Sequence, residues 1–592
     1  MKQFIKFMFA SALGTFIAVL LVITFFVALM AGAVMNIQDD TGGSVKIKPH
    51  SVIRISWKNE IKDRTPNNPF DGFDFATMES KKPVGLNDIL KNIEKAAGDD
   101  NIDGIFLDME TLNTGAASLE EIRNKLLEFK KSGKFIYSYA NNYDQKAYYL
   151  ASVSDKIMLN PEGFILFKGL NIQLVFLKGM LDKLEIETQV IRGPNNKYKS
   201  AVEPLIYNHA SQANREQLSV MMNTIWGKYL KVISESRGIG IDKLNQLADD
   251  LALSTADIAL ENHFIDKIAY RDEVLDMLKE KTGNSKVNLV SFSKYTKVSP
   301  KHMENKAKDR VAVIYAEGDI KQGKSSPGTI GSASLAETIR KVRKLSRVKA
   351  IVFRVNSPGG DAQASEIIRR ELSLAAQKVP VIISMGNVAA SGGYWISTPG
   401  KYIFAEESTI TGSIGVFGII PNMQGLFNNK LGITFENIQT NKNADFIDVM
   451  KPMSELQKAR MNEAITRIYG NFVSLVSKSR KLDEQYVDSI ARGRVWAGAD
   501  AIKIGLVDSI GGLEAAIHAA AREAKLGDKY KISEYPKEKD FFQALIEEMS
   551  GEATTKLVKS QMGDYYKYYE QAAKIKEMKG VQARLPYFMV MN

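Results

Sequence analysis

The chain has 592 residues, 45% of them hydrophobic and 25% charged, which points to a globular protein of two to four domains and excludes wholesale disorder. Its formal charge of +11 is spread out, with no dense Lys/Arg block and no zinc or aromatic nucleic-acid motif, so nucleic acid is discounted as a partner; a solvated basic face or an acidic membrane surface fits instead. There is no cysteine, and hence no disulfide, no cysteine nucleophile and no thiolate metal site.

Lys2 and Lys6 precede an uncharged run from Phe7 to Met35, about 29 residues or roughly 40 Å as a helix, enough to cross a ~30 Å hydrocarbon core. The lysines predict a cytoplasmic N-terminus, with everything after Met35 on the far side. Ala31-Gly32-Ala33 resembles a signal-cleavage site. Cleaved signals carry apolar cores of only about 7–15 residues, however, so residues 1–36 read as an uncleaved anchor. No later segment is long and apolar enough to span.

From residue 45 onward, β-rich runs alternate with helical periods. Ile102–Met109 and Lys134–Tyr139 flank the helical period of Ser118–Lys131; Val348–Val355 and Val379–Met385 flank that of Ala364–Gln377. This alternation predicts βαβ units and parallel sheets, with functional loops at the strand C-termini. The second series repeats the first at an offset of 246 residues: Ile105-Phe106-Leu107 matches Ile351-Val352-Phe353, and Tyr148-Tyr149-Leu150 matches Tyr394-Trp395-Ile396. Later the register slips, pairing Lys183-Leu184 with Lys430-Leu431 and Pro204 with Pro452. Two homologous α/β domains are expected, over residues 45–305 and 306–535, followed by a charged helical extension over 536–592 in which Tyr565, Tyr566, Tyr568 and Tyr569 cluster.

Late in the first half, the segment Gly193-Pro194-Asn195-Asn196-Lys197-Tyr198-Lys199-Ser200 brings two lysines out of a turn. If the segment is extended, Lys197 and Lys199 share a face, and the pattern alone does not separate them. In the second half, Ser357-Pro358-Gly359-Gly360 and Ala389-Ala390-Ser391-Gly392-Gly393-Tyr394-Trp395 each read as a buried strand, a small-residue turn and a helix start. A serine on the second turn has a bare hydroxyl, and glycine lets a substrate carbonyl approach the backbone N–H groups. That arrangement suits acyl transfer.

A serine hydroxyl needs a base. None of the five histidines (His50, His209, His263, His302, His518) lies in a Gly-rich turn or a recognisable motif, so two solutions stay open at this point, a distant histidine brought in by the fold and a desolvated lysine. The first half has Gln145 at the position of Ser391 and Thr111-Leu112-Asn113-Thr114 at that of Ser357–Gly360, so only the second half can host the chemistry. The counterpart of Lys199 falls close to Ile447, so lysine and serine are expected from different halves.

Gly386–Trp395, Tyr198-Lys199-Ser200-Ala201-Val202-Glu203-Pro204 and Thr411-Gly412-Ser413-Ile414-Gly415 closely resemble the long form of bacterial signal peptide peptidase A (protease IV), over essentially the whole chain. The resemblance implies tandem domains with a fold similar to Clp protease and the crotonases after an N-terminal transmembrane helix. It implies Ser391 as nucleophile, Lys199 as general base in preference to Lys197, Ser413 as the hydroxyl orienting the lysine amine, and the amides of Gly359 and Gly392 as the oxyanion hole. Phe167 stands where Ser413 stands, again leaving the first half without a site. The resemblance further implies hydrophobic peptides and signal-peptide remnants as substrates, no cofactor, and a homo-oligomer (a tetramer) on the outer face of the bacterial inner membrane. Two other classes would use the same fold. A crotonase-type acyl-CoA enzyme would bind CoA and would not need a serine at 391. A catalytically silent membrane scaffold would leave a fluorophosphonate probe unreacted.

Overall fold

The computed structural model describes residues 46–66, 84–193, 195–299, 307–537 and 581–585, with the short pieces Phe73–Asp74, Glu79–Ser80 and Met589–Met591 and scattered helical positions before residue 25. Among the described residues no helix is long and apolar enough to cross a membrane; much of the run 7–35 read as an anchor lies outside them, as do residues 538–580 and the tyrosine cluster.

The chain is α/β. In the first half, the strands Asn288–Ser291, Ser51–Ile55, Ile102–Asp108, Phe135–Ala140, Lys156–Leu159 and Lys267–Ile268 lie side by side in that order, all parallel. In the second half, Lys531–Tyr535, Arg310–Glu317, Val348–Ser357, Val381–Ala390, Tyr402–Ala405 and Ser509–Ile510 follow the same order and direction. The central strands are near-continuous Val/Ile/Phe runs because helices cover both faces and leave no solvent side to alternate toward. Counterpart helices match as well. Gln212–Arg237 and Glu455–Arg480 are each 26 residues long, each started by a serine side chain (Ser211, Ser454) accepting from an amide of the first turn.

A smaller sheet joins the halves. Its order is Thr329–Gly331, Asp319–Lys321, Gly359–Asp361, Val581–Arg584, Phe417–Asn422, Glu187–Ile191. Glu187–Ile191, from the first half, runs antiparallel to Phe417–Asn422 and delivers the chain to Lys199. Of the expected helical extension 536–592, the described end is strand rather than helix. Val581–Arg584 finds open edges in this sheet, and Met589–Met591 pairs with Ile172–Leu174 of the first half.

A buried cation also ties the halves together. Arg354, on a central strand of the second half, is fully buried. Its Nη2 donates to Asp63 and Glu121 of the first half, 2.7 Å each, and its Nη1 to Ser384 Oγ at 2.9 Å. Burial disfavours the guanidinium charge, but Asp63 and Glu121 outweigh burial and raise its pKa.

Candidate active site

Three turns converge where the halves meet. The strand Val381–Ala390 ends at Ser391, which takes φ 55° and ψ −114° before the helix Gly392–Ser397 begins. That left-handed backbone is strained for a non-glycine residue; it is fixed by the Ser391 amide donating to Gly412 O at 2.8 Å. The second turn carries Ser413, at φ 50°, directly after the strand Ile410–Gly412. The third carries Lys199, at the start of the short 3₁₀ turn Ser200–Val202.

The Lys199 amine lies 2.7 Å from Ser391 Oγ, 3.0 Å from Ser413 Oγ and 3.0 Å from Ser413 O. Lys199 is 1% exposed and Ser391 0%. Burial holds the Lys199 amine well below the usual lysine range, and no carboxylate among the described residues offsets it. A neutral amine has two N–H groups and one lone pair. With both N–H groups given to Ser413, the lone pair is left for the Ser391 hydroxyl.

Lys197 is elsewhere. It is exposed, with its ammonium 5.0 Å from the Tyr198 ring centroid. An extended segment would have put both lysines on one face. Instead the chain turns here, the Lys199 amide donating to Asn196 O at 3.1 Å, and only Lys199 points inward.

Gly359 and Gly392 face each other across the cleft. A Cβ on Gly359 would lie 2.7 Å from Gly392 N, and Gly359 has φ 101°, so no other residue fits. Gly392 is the first residue of its helix, where the amide has no intrahelical acceptor. The Gly359 amide donates to Ser357 Oγ at 3.2 Å, a long bond. The tail strand Val581–Arg584 occupies this cleft. It is antiparallel both to Gly359–Asp361 and to Phe417–Asn422, and Leu585 N donates to Pro358 O at 2.9 Å. The Ala583 carbonyl oxygen would lie 2.2 Å from a Cβ on Gly359 and 3.1 Å from one on Gly392. Ala583 itself is fully buried, and Arg584 pairs with Asp319.

Two further features escape a reading of motifs. The turn 491–495 fastens the Lys199 segment to its neighbours: Arg492 O accepts from Tyr198 N (2.9 Å), Gly493 N donates to Ile414 O (2.8 Å), and Arg494 O accepts from Ser413 N (2.6 Å). Gly493, at φ 80°, lies so close that a Cβ there would be 2.6 Å from the Lys199 backbone. Its only sequence signal is a glycine between two arginines. Gln217 clamps the same segment, donating to Tyr198 O at 3.0 Å and accepting from Val495 N at 3.1 Å.

Known proteins are similar over most of this length. The model of peptidase family S49 matches residues 128–285 and 373–527. Protease 4 of Salmonella typhi is 38% identical over 494 residues, covering 80% of this chain and 78% of that protein. Protease 4 of Haemophilus influenzae is 36% identical, covering 74% and 73%. The chloroplastic serine protease SPPA of Arabidopsis thaliana is 33% identical, covering 82% and 71%. Among solved structures, a ClpP1 point mutant from Listeria monocytogenes is matched at 14% identity and a TM-score of 0.24, over 35% of this chain and 94% of that one, too slight a likeness to assign a fold.

Proposed function

The chain belongs to peptidase family S49, in its long signal peptide peptidase A form, and is a serine protease; from this premise we propose that Ser391 and Lys199 are its catalytic dyad. The observation that carries the reading is the buried amine 2.7 Å from the Ser391 hydroxyl and 3.0 Å from Ser413 Oγ.

Neutral Lys199 takes the Ser391 proton as Oγ bonds to the peptide carbonyl carbon. The oxyanion is held by the amides of Gly392 and Gly359, the latter released from Ser357. The tetrahedral adduct collapses by breaking the C–N bond, and the Lys199 ammonium protonates the leaving amine. Water, activated by the same amine, then releases the acyl group from Ser391. Ser413 acts as a positioning residue, holding the amine so that its lone pair faces Ser391.

The substrates are extended apolar peptides, signal-peptide remnants among them, bound antiparallel between Gly359–Asp361 and Phe417–Asn422, the position taken here by the tail strand. The two halves are tandem Clp/crotonase-like domains of one duplicated ancestor, over residues 45–305 and 306–535. The chain is held by residues 1–36 in the bacterial inner membrane, with the catalytic part on the outer side, and it works as a homo-oligomer.

The test is hydrolysis of a hydrophobic signal-peptide sequence by the full chain in detergent. Ser391→Ala and Lys199→Ala are expected to lose about 10⁴-fold in kcat, with Lys197→Ala unaffected. Full activity in Lys199→Ala would remove the lysine base. Only the neutral amine accepts a proton, so kcat/KM should rise with pH through the lowered folded pKa of Lys199 and then level off. A rate that does not change across that range would count against the dyad.

A further inference from the structure

The tail strand Val581–Arg584 lies where the proposed substrate lies, and its side chains show what the cleft accepts on either side of a peptide bond. Gln582 stands opposite Asp361 and Phe417, Ala583 opposite Gly360, and Arg584 opposite Gly359. The Ala583 carbonyl oxygen comes beside Gly359 and Gly392, so the Ala583–Arg584 bond takes the place of the bond to be cut. Ala583, before that bond, is fully buried and belongs to the apolar core of the second half. Opposite it, Gly360 has no room for a Cβ, which would lie 2.0 Å from Ile320 O. Backbone and core together leave space for a small apolar side chain at this position.

Arg584, after the bond, meets a charge. Its guanidinium pairs with Asp319, and the two side chains are only 3% and 14% exposed. Asp319 is fixed to the cleft by backbone rather than by the tail. It opens the strand Asp319–Lys321, in which Ile320 pairs with Gly360, and its own amide donates to Gly328 O at 3.1 Å. The Gly318 carbonyl just before it accepts from Ser357 Oγ at 2.7 Å, in the turn that carries Gly359. The carboxylate therefore keeps its place when the tail leaves, and the tail takes Arg584 with it. A carboxylate so far withdrawn from water is costly without a cation. A peptide that carries a cation to the same place restores the pair, whereas one that carries glutamate sets two carboxylates together.

We propose that Asp319 is a specificity-determining residue that selects a basic side chain immediately after the cleaved bond. The preferred substrate is then an apolar segment that ends in a small residue and is followed by arginine or lysine. Arginine suits the site better than lysine, because a planar guanidinium reaches a nearly enclosed carboxylate with less loss of order. The inference rests on the reading of Ser391 and Lys199 as a protease dyad and of this cleft as its substrate groove, and it adds the chemistry recognised on the leaving-group side.

The test uses the full chain in detergent and the peptides Leu-Leu-Leu-Ala-Xaa-Leu, with arginine, glutamine or glutamate as Xaa. Relative to arginine, kcat/KM is expected to be about 10-fold lower for glutamine and about 100-fold lower for glutamate, with the cut between Ala and Xaa by mass spectrometry. Asp319→Asn should remove the advantage of arginine over glutamine, and Asp319→Lys should reverse the order and put glutamate first. A reversed order is a result that a loss of structure does not give. Dissociation constants of the same peptides on the Ser391→Ala chain should rank as the wild-type rates do, without any need for turnover. Equal rates for the three peptides, an arginine preference that survives Asp319→Asn, or a cut at another bond would each overturn the proposal. If no peptide is hydrolysed, the dyad reading fails, and the binding order on Ser391→Ala still decides the role of Asp319: equal constants reject it.

Discussion

The two clefts of this molecule rest on sheets of the same strand order, and they differ in how their polar groups are occupied. In the first half, Gln145 Oε1 accepts from the amides of Lys168 and Gly169, at 3.1 and 3.0 Å, and the Lys146 ammonium donates to Thr114 O at 3.0 Å. Phe167 packs against Trp226, ring centroids 5.3 Å apart. These groups are committed to holding their own loop. In the second half, the corresponding positions are Ser391, Gly392 and Ser413, and the hydroxyls face an amine stripped of water. On the proposed reading, the comparison sets out what a reactive turn needs beyond a structural one on a shared scaffold: a hydroxyl held against an amine, a glycine where a side chain would fill the oxyanion position, and that amine brought from the other half.

The sharpest way to break this comparison is Lys199→Met, which keeps the unbranched stem and removes the amine. Turnover should fall about 10⁴-fold, yet the fold should become more stable at neutral pH. The folded pKa lies below the unfolded one, so between the two the unfolded chain binds a proton that the folded chain does not, and the wild type loses about 1.4 kcal/mol of stability for each pH unit by which pH falls from the unfolded value toward the folded one. That advantage of the variant should shrink as pH rises toward the unfolded lysine value, as measured by urea unfolding at pH 7 and pH 10. Next in size, Arg354→Leu leaves Asp63 and Glu121 buried without their cation and should cost about 3–5 kcal/mol by the same method. Gly493→Ala forces a Cβ against the Lys199 backbone at a positive φ; kcat is expected to drop about 10-fold or more with KM nearly unchanged, a split that simple misfolding would not give. The smallest effect belongs to Gln145→Ser. One hydroxyl should not create a site without a base or paired glycines, so fluorophosphonate labelling should stay at one per chain, by intact-mass analysis, with a stability loss of about 1–3 kcal/mol from the orphaned loop amides.

Much of the scaffold is legible directly in the residues, because apolar runs of the right length next to helical periods are a local signal. Ser391 and Gly392 are visible for the same reason, as small residues at the end of such a run. The choice of Lys199 over Lys197 comes only through resemblance; its physical cause, a turn at Asn196 and the pinning of Tyr198 to Arg492, joins residues almost three hundred positions apart. Arg354 sits in an apolar strand and looks like a misplaced charge until Asp63 and Glu121, 291 and 233 residues away, are brought to it. The end of the chain reads as helical throughout, yet Val581–Arg584 is strand. Two foreign edges wait for it, and edge pairing leaves no periodicity in the strand that fills it.

That tail strand turns the cleft into a competition. A peptide covalently tethered beside its own binding site is present at an effective concentration of about 1 mM, whatever the dilution of the enzyme. On the proposed mode of binding, a substrate must displace a resident ligand whose Ala583 carbonyl already lies beside Gly359 and Gly392. Peptides that bind weakly are turned away by mass action before chemistry begins, while long apolar ones win. Ending the chain at residue 580 should therefore widen the range of peptides cleaved, lowering KM most for the shortest.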